Sequence, residues 1–166
     1  MAKINFAPFN QEEHIELLKN WLQGEHVQGF WQELVKAEEL ASEFLSQLQK
    51  RGVRSFIADF KGKAMGYIQF YEVSQKSESW GDQKPEEVYE IEILIGESIY
   101  LGQGLASQMI SQFIDFMRDE VDLSNLIIDS RSSNAKALKA FKEVGFKEVM
   151  KMNLNNHETM LLKLSQ

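Results

Sequence analysis

The run V-Y-E-I-E-I-L-I-G-E-S-I-Y-L-G-Q-G-L-A, Val88 to Ala106, decides how the rest of the chain is read. Its first half alternates. Val88, Glu90, Glu92 and Leu94 interleave with Tyr89, Ile91, Ile93 and Ile95, and β-branched residues dominate the end, which is the pattern of a strand. Gly96 to Tyr100 reads as a short loop. The run closes on Gly102, Gly104 and Ala106, and the residues Leu105, Met109, Ile110, Phe113, Ile114 and Met117 have helical spacing, so a helix is expected from Leu101 to about Glu120. A strand therefore delivers the backbone to a helix N-terminus stripped of bulk. The first N–H groups of a helix have no partner within it, and its dipole turns a positive end outward, so the segment suits an anion, a diphosphate above all. Glu92, inside the strand, is placed to share that cleft.

Upstream, Lys3 to Pro8 reads as an edge strand. Asn10 is a good N-cap, followed by Gln11-Glu12-Glu13 in the first turn of a helix that runs through Trp21 and Leu22 and stops at Gly24. The stretch H-V-Q-G-F-W, His26 to Trp31, could line a pocket or form a satellite core cluster. Glu33 to Lys50 has the apolar spacing of a second helix. Val53 to Phe60 and Ala64 to Val73 are strands joined by the tight turn Lys61-Gly62-Lys63. Ser74 to Glu87 is a polar loop broken by Trp80 and Pro85, long enough to suspect a functional excursion. From Glu72 to Glu92 there are seven acids and two lysines. That bias fits a cation-facing surface, and equally a solvated acidic loop.

Downstream, Asn125 to Ser130 reads as a buried strand. Ala135 to Val144 is a helix with Ala137, Leu138, Phe141 and Val144 facing inward, and Gly145 ends it. Phe146 to Lys151 and Thr159 to Leu164 are further strands around a turn at Asn153 to His157. Strand–helix–strand–helix–strand over residues 88 to 151 argues an α/β sheet with parallel pairing at its centre.

The 166 residues suffice for one domain with a good core, and 43% hydrophobic content fits a globular fold. No apolar run is long enough to span a bilayer, and the N-terminus lacks a signal-peptide pattern, so a cytoplasmic protein that needs no membrane is expected. Cysteine is absent, which excludes disulfides and thiolate chemistry. His14, His26 and His157 have no metal-ligand spacing, so no metal is expected. A formal net charge of -7 disfavours nucleic acid as a partner and permits a cationic small substrate.

The glycine segment is not a Walker loop, because no Gly-Lys-Ser/Thr follows, and Ser107 spoils a dinucleotide fingerprint. Some thirty residues downstream stands N-A-K-A-L-K-A-F-K-E-V-G-F, Asn134 to Phe146. It resembles the signature N-x-x-A-x-x-x-(Y/F)-x-x-x-G-F of the GCN5-related N-acetyltransferase (GNAT) superfamily. Leu101 to Ala106 resembles that superfamily's pyrophosphate loop, (Q/R)-x-x-G-x-(G/A), with an aliphatic residue in the first place. Within the superfamily, the strand acid, the L-G-Q-G-L-A loop, the strand ending in Asp129, His26 to Trp31, and Gly66 to Tyr71 together resemble bacterial aminoglycoside 6'-N-acetyltransferases. Siderophore N-hydroxylysine acyltransferases share part of the His–Trp motif.

The resemblance implies a single GNAT domain over residues 1 to 166. The expected fold is a mixed α/β sheet of six to seven strands, splayed at the acyl-CoA site and flanked by about four helices. The implied activity is acetyl transfer from acetyl-CoA to a primary amine of a cationic small molecule, an aminoglycoside by the closer likeness, and hence antibiotic resistance. Ile93, Leu94 and Ile95 would pair with the pantetheine arm, and an N–H near Leu94 would polarise the thioester carbonyl. Leu101, Gly102, Gln103, Gly104, Leu105 and Ala106 would bind the pyrophosphate. Asn134 would hydrogen-bond the arm, or only cap its helix. Glu92 would be the base that removes the amine proton; alternatively it only holds the ammonium or faces solvent. Trp31, Tyr71, Trp80 and Asp129 would contact substrate, though Asp129 could equally cap a turn. Phe141 lies at the cofactor, where many relatives carry a tyrosine that protonates the departing thiolate, so water or Tyr100 would have to serve. The competing readings are acylation of a siderophore hydroxylamine or a peptide N-terminus, and a non-catalytic acyl-CoA sensor. Either a monomer or a homodimer is compatible.

Overall fold

A computed structural model describes residues 2–27, 52–73, 88–154 and 156–165. The second helix expected over 33–50, the aromatic stretch ending at Trp31, and the loop carrying Trp80 lie outside the described residues. Seven strands form one sheet in the order β1-β2-β3-β4-β5-β7-β6: β1 (Ile4–Pro8), β2 (Arg54–Phe60), β3 (Lys63–Glu72), β4 (Val88–Ile95), β5 (Asn125–Arg131), β6 (Lys147–Leu154) and β7 (His157–Ser165). Among the described residues only β4 and β5 run parallel; every other pairing is antiparallel. Three α-helices are described: α1 (Gln11–Leu22), α2 (Leu105–Glu120) and α3 (Ala135–Val144). The expected mixed α/β fold is the one observed.

The two sheet faces follow from strand alternation. On one face Phe56, Ile68, Phe70, Ile91 and Ile128 pack with Met109, Phe113 and Met117 of α2 and with Phe141 of α3. On the other, Ile57, Tyr67 and Leu94 pack with Leu18 and Trp21 of α1. The α1 N-cap is Asn10, whose side chain accepts from the N–H groups of Glu12 and Glu13.

The expected helix from Leu101 starts four residues late. Gly102 and Gly104 have φ of 72° and 70°, in the left-handed region, so the chain turns through 101–104 before α2 begins. A single 3-10 turn, Ser98–Tyr100, fills part of the expected loop. The last hairpin is longer than its sequence suggests: β6 reaches Leu154 and β7 begins at His157, with Asn156 at φ 65° in the turn.

One feature of the sheet positions the site. The parallel register of β4 and β5 covers only Val88↔Asn125, Tyr89↔Leu126 and Glu90↔Ile127. Beyond it, among the described residues, β4 pairs with β3 alone and β5 with β7 alone. The two central strands fork at Glu90, as the sequence reading expects of a splayed sheet.

Candidate active site

The fork leaves backbone groups of β4 without a strand partner, and the register says which. Val73 N–H donates to the Val88 carbonyl (2.8 Å) and Gly96 N–H to the Met65 carbonyl (2.9 Å), so the even residues of β4 form the hydrogen-bonded pairs with β3. Leu94 pairs with Tyr67 in this phase, and its N–H is turned to β3. This corrects the expectation that Leu94 donates to the thioester. The N–H of Ile91 serves the last parallel pair, Glu90↔Ile127, so the N–H groups facing the open fork are those of Ile93 and Ile95. His26 Nε2 lies 3.0 Å from the Ile95 carbonyl oxygen, so this histidine anchors the end of β4. Trp21 anchors it a second time: its indole N–H donates to Glu97 Oε1 (2.8 Å), and its ring lies so close over Gly96 that a Cβ there would stand 2.0 Å from it.

The glycine loop hands the fork to α2. No side chain caps this helix, and open space surrounds the positions that a Cβ would take at Gly102 and Gly104. The result is a bare cradle of N–H groups. Of the six loop residues expected there, Leu101 is exposed and Leu105 turns its side chain into the core, so they offer backbone only. The Gln103 side chain donates to the Ile99 carbonyl at 2.5 Å and braces the turn. Along α3 runs a groove of about 580 Å³ lined by Ser132, Ala135, Leu138, Lys139, Lys142 and Glu143. Ser132 Oγ is buried there with no partner among the described residues. Asn134 caps α3 by accepting from Ala137 N–H (3.3 Å), which uses its carbonyl and leaves its amide N–H groups for another acceptor. Cradle, unpartnered hydroxyl and lysines together suit a diphosphate-bearing arm laid from the fork towards α3. Phe141 is a core residue, tilted against Phe146 at 6.3 Å, and Tyr100 packs edge-on against Phe60 at 5.7 Å.

On the α1 face the fork carries acid. Glu90 and Glu92 share that face of β4 with Tyr71 and Gln69 opposite them on β3, and Asp129 approaches from β5. Burial is the main cause of a raised pKa at all three carboxyls. Glu92 is pushed up to about 7 by burial and then by the charge of Asp129, against a hydrogen bond from Gln69 that lowers it. Glu90 is pushed up by burial, by Asp129 and by Glu92, while its bond from Tyr71 lowers it. Glu90 and Asp129 are hydrogen-bonded to each other, so the two carboxyls titrate as a pair, with burial opposing ionisation of both. The Tyr71 phenol is raised by burial and by the neighbouring carboxylates, and so stays protonated.

The structure thus brings together Glu92, Asp129 and Tyr71 of the expected substrate residues; Trp31 and Trp80 lie outside the described ones. Glu90, Gln69 and Tyr67 belong to the same face. Glu90 was not among the expected site residues, although the alternation Glu90-Ile91-Glu92 puts it on the face of Glu92.

The family model described as an acetyltransferase (GNAT) domain matches residues 10–154. The chain belongs to the GNAT acetyltransferase family. This GNAT chain is 22% identical, over 140 residues covering 81% of it and 70% of the relative, to the aminoglycoside N(6')-acetyltransferase type 1 of Klebsiella pneumoniae. Its fold matches that of aminoglycoside acetyltransferase AAC(6')-Ib in complex with coenzyme A, with a TM-score of 0.86 at 18% identity over 99% of this chain and 95% of that one. It also matches the spermidine N-acetyltransferase of Vibrio cholerae in complex with CoA and spermine, with a TM-score of 0.74 at 16% identity over 98% and 95% of the two chains.

Proposed function

We propose that this enzyme transfers the acetyl group of acetyl-CoA to a primary amine of a cationic small molecule, an aminoglycoside at its 6'-amine. The observation that carries the reading is the gathering of Glu90, Glu92 and Asp129 on one face beside the fork of β4 and β5. Three carboxyls whose ionisation burial opposes in the free protein suit a polycation, which returns to them the charge stabilisation that burial removes. The likeness to an aminoglycoside 6'-acetyltransferase supports the same acceptor class.

The thioester supplies an activated acetyl group. The N–H groups of Gly104 to Ser107 hold the pyrophosphate at the α2 N-terminus, and the amide of Asn134 meets the arm. The N–H of Ile93 or Ile95 faces the gap and donates to the carbonyl oxygen that gains charge. Glu92 takes a proton from the substrate ammonium on its carboxylate, and the neutral amine so formed attacks the thioester. A base with a pKa of about 7 is matched to neutral pH, where it is half ionised and still able to take a proton. Phe141 cannot donate a proton, so the departing thiolate takes one from water. Acetyl-CoA as donor fits a cytoplasmic enzyme, and resistance to the acceptor drug is the expected consequence.

A polyamine acceptor is the second reading, supported by the fold shared with a spermidine N-acetyltransferase. Mass spectrometry of kanamycin and spermidine after incubation with enzyme and acetyl-CoA separates the two. One added acetyl on kanamycin at the 6'-position supports the proposal. Modification of spermidine alone assigns the acidic face to a linear polyamine, and modification of neither sinks both.

A further inference from the structure

Glu92 does not stand alone. Gln69 lies directly across from it in the β3–β4 register, and Ser55 lies across from Gln69 on β2. Tyr67, two residues before Gln69 on β3, shares their face. Gln69 is only 1% exposed, an uncommon place for an amide unless both of its ends are bonded. Both are. Its Nε2 donates to Glu92 Oε2, and the Tyr67 hydroxyl reaches its Oε1. The Tyr67 hydroxyl also lies 2.9 Å from Ser55 Oγ. Donor counting orders this row. Gln69 Oε1 can only accept, and Tyr67 has one hydroxyl hydrogen, so Tyr67 gives it to Gln69 and Ser55 donates to Tyr67. A flipped amide would set Oε1 against the ionised Glu92 carboxylate, acceptor against acceptor. With Glu92 ionised the row therefore admits one orientation of the glutamine.

We propose that Gln69 is the positioning residue of the active site: held by Tyr67 and Ser55, it donates to Oε2 of Glu92 and leaves Oε1 as the atom that receives the amine proton. The inference rests on Glu92 acting as the base. Ser55, Tyr67 and Gln69 serve the chemistry from behind, because each touches the next residue of the row. One consequence is electrostatic. Burial and the charge of Asp129 oppose ionisation of Glu92, and the bond from Gln69 favours the charged form. Tyr67, raised by burial, remains a neutral hydrogen-bond donor throughout. Tyr71 bonds Glu90 and completes the titratable groups that face the carboxylate among the described residues. The row thus favours the ionised form of the base and occupies only one of its two oxygens.

The test compares Gln69→Met, Tyr67→Phe and Glu92→Gln by kcat/KM against pH with one amine, so that ionisation of the substrate is common to all. Gln69→Met removes the donor at similar volume. It is expected to lower kcat/KM at neutral pH by about tenfold and to move the rising limb up by about one pH unit, with the KM for acetyl-CoA unchanged. Tyr67→Phe keeps the ring and frees the amide to flip, so it moves the limb in the same direction by less. Where Gln69→Met does not fold, Tyr67→Phe alone decides. Folded variants whose limb coincides with that of the wild type overturn the positioning role, even if their melting temperatures fall. Full activity of Glu92→Gln at every pH would instead overturn the base assignment itself.

Discussion

Glu92 has a pKa of about 7 because burial and Asp129 raise it further than Gln69 lowers it. A carboxyl so tuned predicts a rising limb in kcat/KM near neutral pH. The variant Glu92→Gln should lose roughly 10²–10⁴ in rate and lose the contribution of that limb, which steady-state assays across pH with amines of different basicity will check. At this scale the sequence was half legible. Glu92 and Asp129 sit on strands next to recognisable motifs, and Glu90 follows from alternation. Gln69 could not be read, because a lone glutamine in a strand looks the same whether it faces water or a buried carboxylate. Leu94 was expected to be the donor although its N–H is turned to β3, because hydrogen-bond phase depends on the partner strand and leaves no mark on the residue itself.

The β4–α2 connection works as one element. Trp21 and His26 fix the end of β4, Gly96 makes room for the indole, and two left-handed glycines swing the chain into α2. Gly104→Ala tests what the cradle is for. In the free protein the added methyl meets nothing within 4 Å, so its stability cost is the left-handed backbone alone, on the order of 1 kcal/mol. Under the proposed binding mode the methyl stands beside the N–H groups that hold the pyrophosphate. The KM for acetyl-CoA should rise about tenfold or more, with the pH limb of Glu92 unmoved; initial rates at varied acetyl-CoA measure it. An unchanged KM would remove the cradle from the binding site. The strand and both helices of this region were legible from periodicity. The start of α2 was not, because apolar spacing continues through Leu101 and the conformation of the glycines decides where helix begins.

For the molecule as a whole, the acidic face costs stability. Glu92 has a folded pKa above its unfolded one, so between about pH 4.5 and 7 the folded state holds more protons than the unfolded state, and stability falls as pH rises through that window. Glu90 and Asp129 act in the same direction. Glu92→Gln keeps an oxygen for Gln69 while removing the charge. It should therefore stabilise the fold at pH 8 by about 1–2 kcal/mol, with the gain vanishing below about pH 4.5, as urea titrations at the two pH values will show. Greater stability paired with lost activity is the signature of a residue kept for function. The sheet order was beyond the sequence: that β7 inserts between β5 and β6 is set by which edges meet, and strand patterns do not encode it. The splay was legible only through the family likeness.

The central claim is that these acids serve acetyl transfer to a cationic amine. Thiol release from acetyl-CoA tests it most directly, with kanamycin, tobramycin, spermidine, N-hydroxylysine and a short peptide as acceptors. The chain has no cysteine, so the protein adds no thiol background. The account predicts release with the aminoglycosides, abolished by Glu92→Gln. Release with the hydroxylamine or the peptide alone, or acetyl-CoA binding with silence across the panel, would contradict it.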